Sequence, residues 1–360
     1  MRYKQNGPRM NTSAASLLDA AEKLGGLLSL LFSLPVLSLF LAAIIAGGIV
    51  LSPRWRARRE SRVRLAPSAA IGVAARYSRE HRTLGIAAVG VMAAFMAEHV
   101  ITRYALNLAD VVSWWRYATP MFAASVGIGV ALVLIVTRGS AHPERPVVSA
   151  RRTWLTFSSR TGAVGAALAL IVLTVTTVLA GLASSNINGG PYVFLEIDVP
   201  NETIDPIRPW FYGWAYGIPV LICAAALVAV AVSALHANAA RAFLRPETVV
   251  AEQRERRDIA AGITRITTAG ALLALAGAWR FIADAGMVNG LTIEGDGRSD
   301  SYEAFWRYAE IAGVGGWLAP LAEITAFVLL FLAMAQLRPL TSGVRSATPT
   351  EARVDSEAAQ

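Results

Sequence analysis

Lysine is almost missing from this chain: of 33 basic residues only Lys4 and Lys23 are lysine, and the rest are arginine. Neither lysine stands at the glycine spacing of a phosphate-binding P-loop. The last apolar segment has no lysine to carry a retinal Schiff base. Cysteine is reduced to Cys223, inside an apolar run, which excludes a disulfide framework and a cysteine metal cluster. There are four histidines, and no His-Glu-x-x-His; Glu98-His99 lacks the second histidine. Only His99 lies well inside an apolar span, with His236 bordering the opposite face, so a transmembrane bis-histidine haem is excluded. Gly295-Asp296-Gly297 reads as a loop turn rather than an intramembrane aspartyl protease motif, and Ser342-Gly343 lies in a polar tail rather than at a rhomboid nucleophile. No metal, no cofactor and no catalytic residue is therefore expected.

Charge is also scarce. Charged residues make up 16% of the chain and apolar residues 55%, against about 25% and roughly 45–50% in soluble domains. Mean hydropathy is +0.48. The apolar residues fall into seven long runs, at about 27–51, 84–104, 117–137, 161–183, 211–235, 266–287 and 313–336. Each is long enough to span a bilayer, and only helices satisfy their own backbone polar groups in lipid. The expectation is an all-α, polytopic membrane bundle over 26–337, preceded by an N-terminal tail (1–25) and followed by a disordered tail (338–360). The second and sixth runs are the weakest, because they contain ionisable residues. The run from Gly26 to Leu51 is too long for a signal h-region, and Ser52-Pro53-Arg54 is a poor cleavage site.

The net charge of +8 reads as topology, with no nucleic-acid partner. Loops 52–83, 138–160 and 236–265 carry nine, five and six arginines, and the tail after Leu337 three. The alternate loops are poor in arginine. Loops 184–209 and 288–312 hold nine carboxylates (Glu196, Asp198, Glu202, Asp205, Glu294, Asp296, Asp300, Glu303 and Glu310) against Arg208, Arg298 and Arg307. The positive-inside bias then places the N-terminus outside and the C-terminus in the cytoplasm. Arg2, Lys4, Arg9 and Lys23 oppose that orientation; a start at Met10 would remove three of them. The alanine- and arginine-rich composition points to a bacterial plasma membrane.

Asn11–Leu24 is expected to be an interfacial amphipathic helix, and Ala66–Arg82 and Pro246–Arg265 to be amphipathic surface segments at the arginine-rich end. Gly190–Pro200 reads as a turn with a short extended stretch. Three helical hairpins show similar starts, with Trp115-Arg-Tyr-Ala, Trp210-Phe-Tyr-Gly and Trp306-Arg-Tyr-Ala opening the descending helices. Arginine and aromatic residues at span ends are also what any bilayer selects. Each descending span carries a proline, Pro35, Pro120, Pro219 or Pro320, in or near its outer half, and the rising spans carry none. Small-residue pairs at four-residue spacing (Ala43/Gly47, Gly90/Ala94, Ala123/Gly127, Gly162/Ala166) suit close helix packing.

Ionisable side chains inside apolar spans are costly and mark function or pairing. The second span has Glu98 and His99, with Arg103 one turn beyond; the sixth has Arg280 and Asp284 on one face; the seventh has Glu323. At about 1.5 Å per residue, Glu98 and Arg280 both lie roughly 21 Å above their cytoplasmic ends. The six residues are expected to form one polar layer in the outer half, with Glu98, Asp284 or Glu323 as partner to Arg280 and depth-matched Glu98 favoured. Trp279 and Trp115, or Trp114 in its place, are candidate aromatic walls. The leading reading is a solute-binding or transport-type bundle that takes a small polar or anionic solute. A non-catalytic membrane subunit or sensor working through membrane-protein partners is the alternative, and an intramembrane enzyme ranks last.

Overall fold

The computed structural model describes residues 35–53, 55, 67–101, 112–138, 153–199, 204–243, 245–288, 290–295 and 298–335. The expected interfacial helix, Arg103 and the C-terminal tail lie outside these residues. Among the described residues seven α-helices follow one another: α1 (Pro35–Leu51), α2 (Pro67–Val100), α3 (Thr119–Arg138), α4 (Arg160–Ala183), α5 (Trp214–Ala240), α6 (Val249–Gly286) and α7 (Ala309–Met334). Six of them are long and apolar enough to cross a membrane, and α1 is a shorter apolar helix. The chain is an all-α helical membrane bundle.

Its outer surface shows why water is the wrong solvent. Phe40, Phe122, Val133, Val164, Leu168, Leu179, Leu182, Ile222 and Ile311 are all exposed, and Trp317 is 85% exposed. Apolar patches on that scale mark a partner or a membrane. The least apolar of the long helices, α6, is instead the most buried, and it packs against α2, α3, α4, α5 and α7. A helix surrounded by protein need not match lipid, so it can carry the polar residues that weakened its signal as a span. The bundle closes with α1 against α7 and α2 against α3.

Two segments differ from the expectation. Ala66–Arg82 and Pro246–Arg265 are not separate surface segments; they continue into the spans as the first halves of α2 and α6. With 34 and 38 residues, these helices reach about 51 and 57 Å at ~1.5 Å per residue, far beyond a ~30 Å hydrocarbon core.

At the opposite end the loops have extended structure. β1 (Ser184–Ser185) pairs antiparallel with β2 (Phe194–Leu195), and single bridges join Phe194 to Trp210 and Ile197 to Ile207. β3 (Gly290–Gly295) and β4 (Arg298–Glu303) form an antiparallel hairpin. Phe211 and Trp306, from the ends of the two acidic loops, meet edge to face at 5.6 Å.

Close packing uses only some of the small residues. A Cβ on Gly127 would collide with Ala87, which fixes the approach of α3 to α2, and one on Gly181 would enter the Trp214 ring at 2.6 Å. Gly47 and Gly90 face open space, so their spacing in the sequence has no packing role inside the bundle.

Candidate functional site

One cavity of about 270 Å³ opens between α2, α3, α6 and α7 at the end opposite the arginine-rich loops. Glu98 and His99 reach it from α2, Arg280 and Asp284 from α6, and Glu323 from α7. Five of the six residues singled out in the sequence therefore line a common space. Arg116, just before α3, joins them. The aromatic lining is Phe95, Tyr117 and Phe281, not the expected Trp115 and Trp279. Trp115 is exposed and packs against Trp114. Trp279 turns to the other side of α6, where its Nε1–H donates to Thr176 Oγ1 at 3.2 Å. A tryptophan's position along a span does not reveal which side of the helix it takes.

The charges are held by specific partners. Arg280 donates from Nη2 to Glu323 Oε2 at 2.6 Å, with the Glu323 side chain only 2% exposed. Glu323 also shares a hydrogen bond with Ser38 of α1, so this carboxylate ties three helices together. Glu98, the expected partner of Arg280, lies within hydrogen-bonding reach of Thr119 and in the field of Arg116. Of the three carboxylates expected as partners of Arg280, Glu323 reaches the guanidinium; depth along the helix favoured Glu98, and depth does not report how α7 is rotated on α6.

Proline and glycine shape the walls. Pro320 sits inside α7 and has no N–H to offer the carbonyl of Gly316, one turn earlier; both residues line the cavity. Pro120, in the first turn of α3, lines it too. A Cβ on Gly277 would meet the Tyr117 ring at 2.9 Å, so glycine there lets the ring lie against α6. Behind it, Tyr117 touches Tyr212 and Tyr216, and stacks on Phe281 at 5.8 Å. The Tyr212 hydroxyl lies within hydrogen-bonding distance of Thr177 Oγ1, at 3.3 Å.

A second polar assembly, absent from the expectations, occupies the arginine-rich end. Tyr77, Glu80 and His81 of α2 face Glu252, Glu255 and Arg256 of α6, with Arg241 following α5. Arg256 is 0% exposed. It donates to the carbonyls of Arg241 at 2.7 Å and Ala242 at 2.9 Å, and lies over the Phe243 ring at 4.4 Å. Arg241 donates to the Ile135 carbonyl near the end of α3 and to Glu80 Oε1, both at 2.9 Å. His81 Nε2 and Glu255 Oε2 are 2.7 Å apart. The two arginines thus serve carbonyls at and just beyond the C-terminal ends of α3 and α5, which helix geometry leaves without intrahelical donors. Reading 66–82 and 246–265 as surface elements hid the assembly. The available signal was the shared spacing of Tyr77/Glu80/His81 and Glu252/Glu255/Arg256.

An apolar groove of about 530 Å³ lies on the other side of the α6–α7 pair, between α4, α6 and α7, and is lined by Leu179, Leu182, Trp279, Ile282, Trp306 and Ile311 among others. Among the described residues, no group of three or more His, Cys, Asp or Glu is placed to hold a metal ion. No protein family, curated protein or solved structure matches this chain. The class is that of a polytopic helical membrane protein, and its function has to be argued from the site.

Proposed function

We propose that the chain is a solute-binding or transport-type membrane bundle whose cavity receives a small polar solute from the outer side. The observation carrying this reading is the convergence of Glu98, His99, Arg280, Asp284 and Glu323 from three helices on one cavity. Ion pairing alone would stabilise those charges best in a closed contact, since an enclosed pair gains from good geometry and loses from gaps. An open space of 270 Å³ beside the pair is what a ligand needs and a purely structural pair does not. The positive-inside bias supports an opening to the outside.

Cys223 is the only native thiol, so a Cys223→Ser background allows single cysteines to be placed at Asp284 and at buried Ala131. A charged, membrane-impermeant thiol reagent added outside intact cells should label Asp284→Cys and spare Ala131→Cys. Labelling of Asp284→Cys only from the cytoplasmic side would overturn the outward opening. Its absence from both sides would remove the water-filled cavity. The apolar groove favours a second reading, a non-catalytic subunit working through membrane partners, and an unlabelled, closed cavity is the outcome that reading requires.

A further inference from the structure

We propose that the apolar groove between α4, α6 and α7 is a phospholipid site, holding one acyl chain of the leaflet on the acidic-loop side with its phosphate at Arg307. This site is independent of the solute-binding reading. Trp279 and Gly315 line the groove, whereas Arg280 and Gly316 line the polar cavity, so the α6–α7 pair is the partition between them.

The groove continues the lipid-facing surface of the bundle. Leu179, Leu182 and Ile311 line it, and they are 61, 71 and 72% exposed. Trp279 Nε1–H is committed to Thr176 Oγ1 at 3.2 Å. Water does not fill a space with so few polar partners; the hydrocarbon around the bundle does. The groove runs from 176 to 183 on α4 and from 308 to 315 at α7, a rise of about 10 Å at ~1.5 Å per residue. That is about two-thirds of one leaflet of a ~30 Å hydrocarbon core. A helix is ~10–12 Å across, so the same length of it fills roughly 800–1,100 Å³, well above the groove's 530 Å³. An acyl chain fits where a helix does not.

The end at the acidic loops carries the headgroup chemistry. Phe211, Trp306 and Tyr308 form an aromatic collar there, with Trp306 edge to face against the other two at 5.6 and 5.7 Å. Such rings sit at headgroup depth. Arg307 is exposed, and its guanidinium lies over the Tyr308 ring at 4.8 Å. Arg208 of the other loop donates instead to Glu196 at 3.0 Å. A guanidinium held by its face against a ring keeps its in-plane N–H donors for a phosphate, which it binds bidentately. Apolar groove, collar and cation thus follow the order of tail, glycerol and phosphate in a phospholipid.

The test uses the full chain, delipidated in detergent and read by native mass spectrometry against phosphatidylcholine and the diacylglycerol with the same tails. One phosphatidylcholine should be retained per chain above the random adduct series, at least fivefold more strongly than the diacylglycerol. Arg307→Gln should remove that preference. Ile311→Trp, which fills the groove from an exposed position, should abolish retention of both lipids. Ile222→Trp, on the exposed surface of α5, should change neither. A preference absent from the parent, or untouched in Arg307→Gln, would overturn the phosphate assignment. Retention no stronger than the random series, or unchanged in Ile311→Trp, would overturn the groove as a lipid site. A protein dimer in place of bound lipid, dissociated by Ile311→Trp, would overturn the lipid and give the groove to a second copy.

Discussion

Replacing Arg256 by methionine tests whether the arginine-rich end is held together as described. Methionine keeps much of the length and apolar stem while removing every donor. Two short hydrogen bonds are lost, to the Arg241 carbonyl at 2.7 Å and the Ala242 carbonyl at 2.9 Å. At roughly 1.5–3 kcal/mol for bonds involving a charged group, these amount to about 3–6 kcal/mol. The longer contacts to Tyr77 and Glu252, at 3.3 and 3.4 Å, add little. Relief of the arginine's own desolvation offsets part of the loss, so the net expectation is about 3–5 kcal/mol, as for a broken buried pair. Unfolding by SDS titration of the detergent-solubilised protein, followed by tryptophan fluorescence, measures it. Arg256→Lys should lose about half as much, because one ammonium does not fork to two carbonyls. Glu252→Gln in the methionine background should recover part of the loss by removing a buried carboxylate. A loss under about 1 kcal/mol in Arg256→Met would refute the reasoning, since the variant would leave the carbonyls near the end of α5 unserved at no cost.

The Arg280–Glu323 pair should behave as a coupled unit: Arg280→Leu or Glu323→Leu alone costs about 3–5 kcal/mol, and the double substitution costs clearly less than their sum. Strict additivity in the same SDS titration would remove the pair. The two glycine environments should separate cleanly, with Gly127→Leu losing about 1–3 kcal/mol by forcing α3 off Ala87. Gly90→Leu, which faces open space, should stay within about 0.5 kcal/mol of the parent, and an equal effect at both sites would mean that α2 and α3 do not meet at Gly127.

The membrane bundle was legible because its signal is long and redundant: a run such as Trp214–Ala240 contains no charged residue over 27 positions. The polar residues of the cavity were legible for the opposite reason, since Glu98, Arg280 and Glu323 interrupt apolar runs where a charge is costly. What the sequence concealed was rotation. Helical rise gave the heights of Glu98 and Arg280, but the way α7 turns on α6 puts Glu323 against the guanidinium, and Trp279 faces away from the cavity. The assembly around Arg256 was concealed by context. Over residues 249–265 charged and apolar residues mix as they do on a solvated surface, and it is neighbours distant in sequence, among them Tyr77, Glu80, His81, Arg241 and Phe243, that make that stretch an interior one.

Both polar assemblies are built on the same two helices, α2 and α6, and the stretch between them is apolar. Leu84, Ala88 and Val91 of α2, Ile263, Ile266 and Leu273 of α6, Met121 and Ile128 of α3 and Phe327 of α7 are all buried and belong to one apolar cluster. This apolar layer separates the cavity from the arginine-rich end, so on the proposed reading a solute would enter and leave by one mouth. A transport cycle would have to part this plug and then the assembly below it, where Arg241 and Arg256 tie α2 and α6 to the ends of α3 and α5. The cost of opening on that reading includes both the apolar contacts of the plug and the hydrogen bonds of Arg241 and Arg256 to backbone carbonyls. If the protein carries its solute across, Arg256→Lys should speed exchange of the bound solute across the membrane while weakening the fold. If it only binds, the same variant should lose stability and leave binding at the far end unchanged.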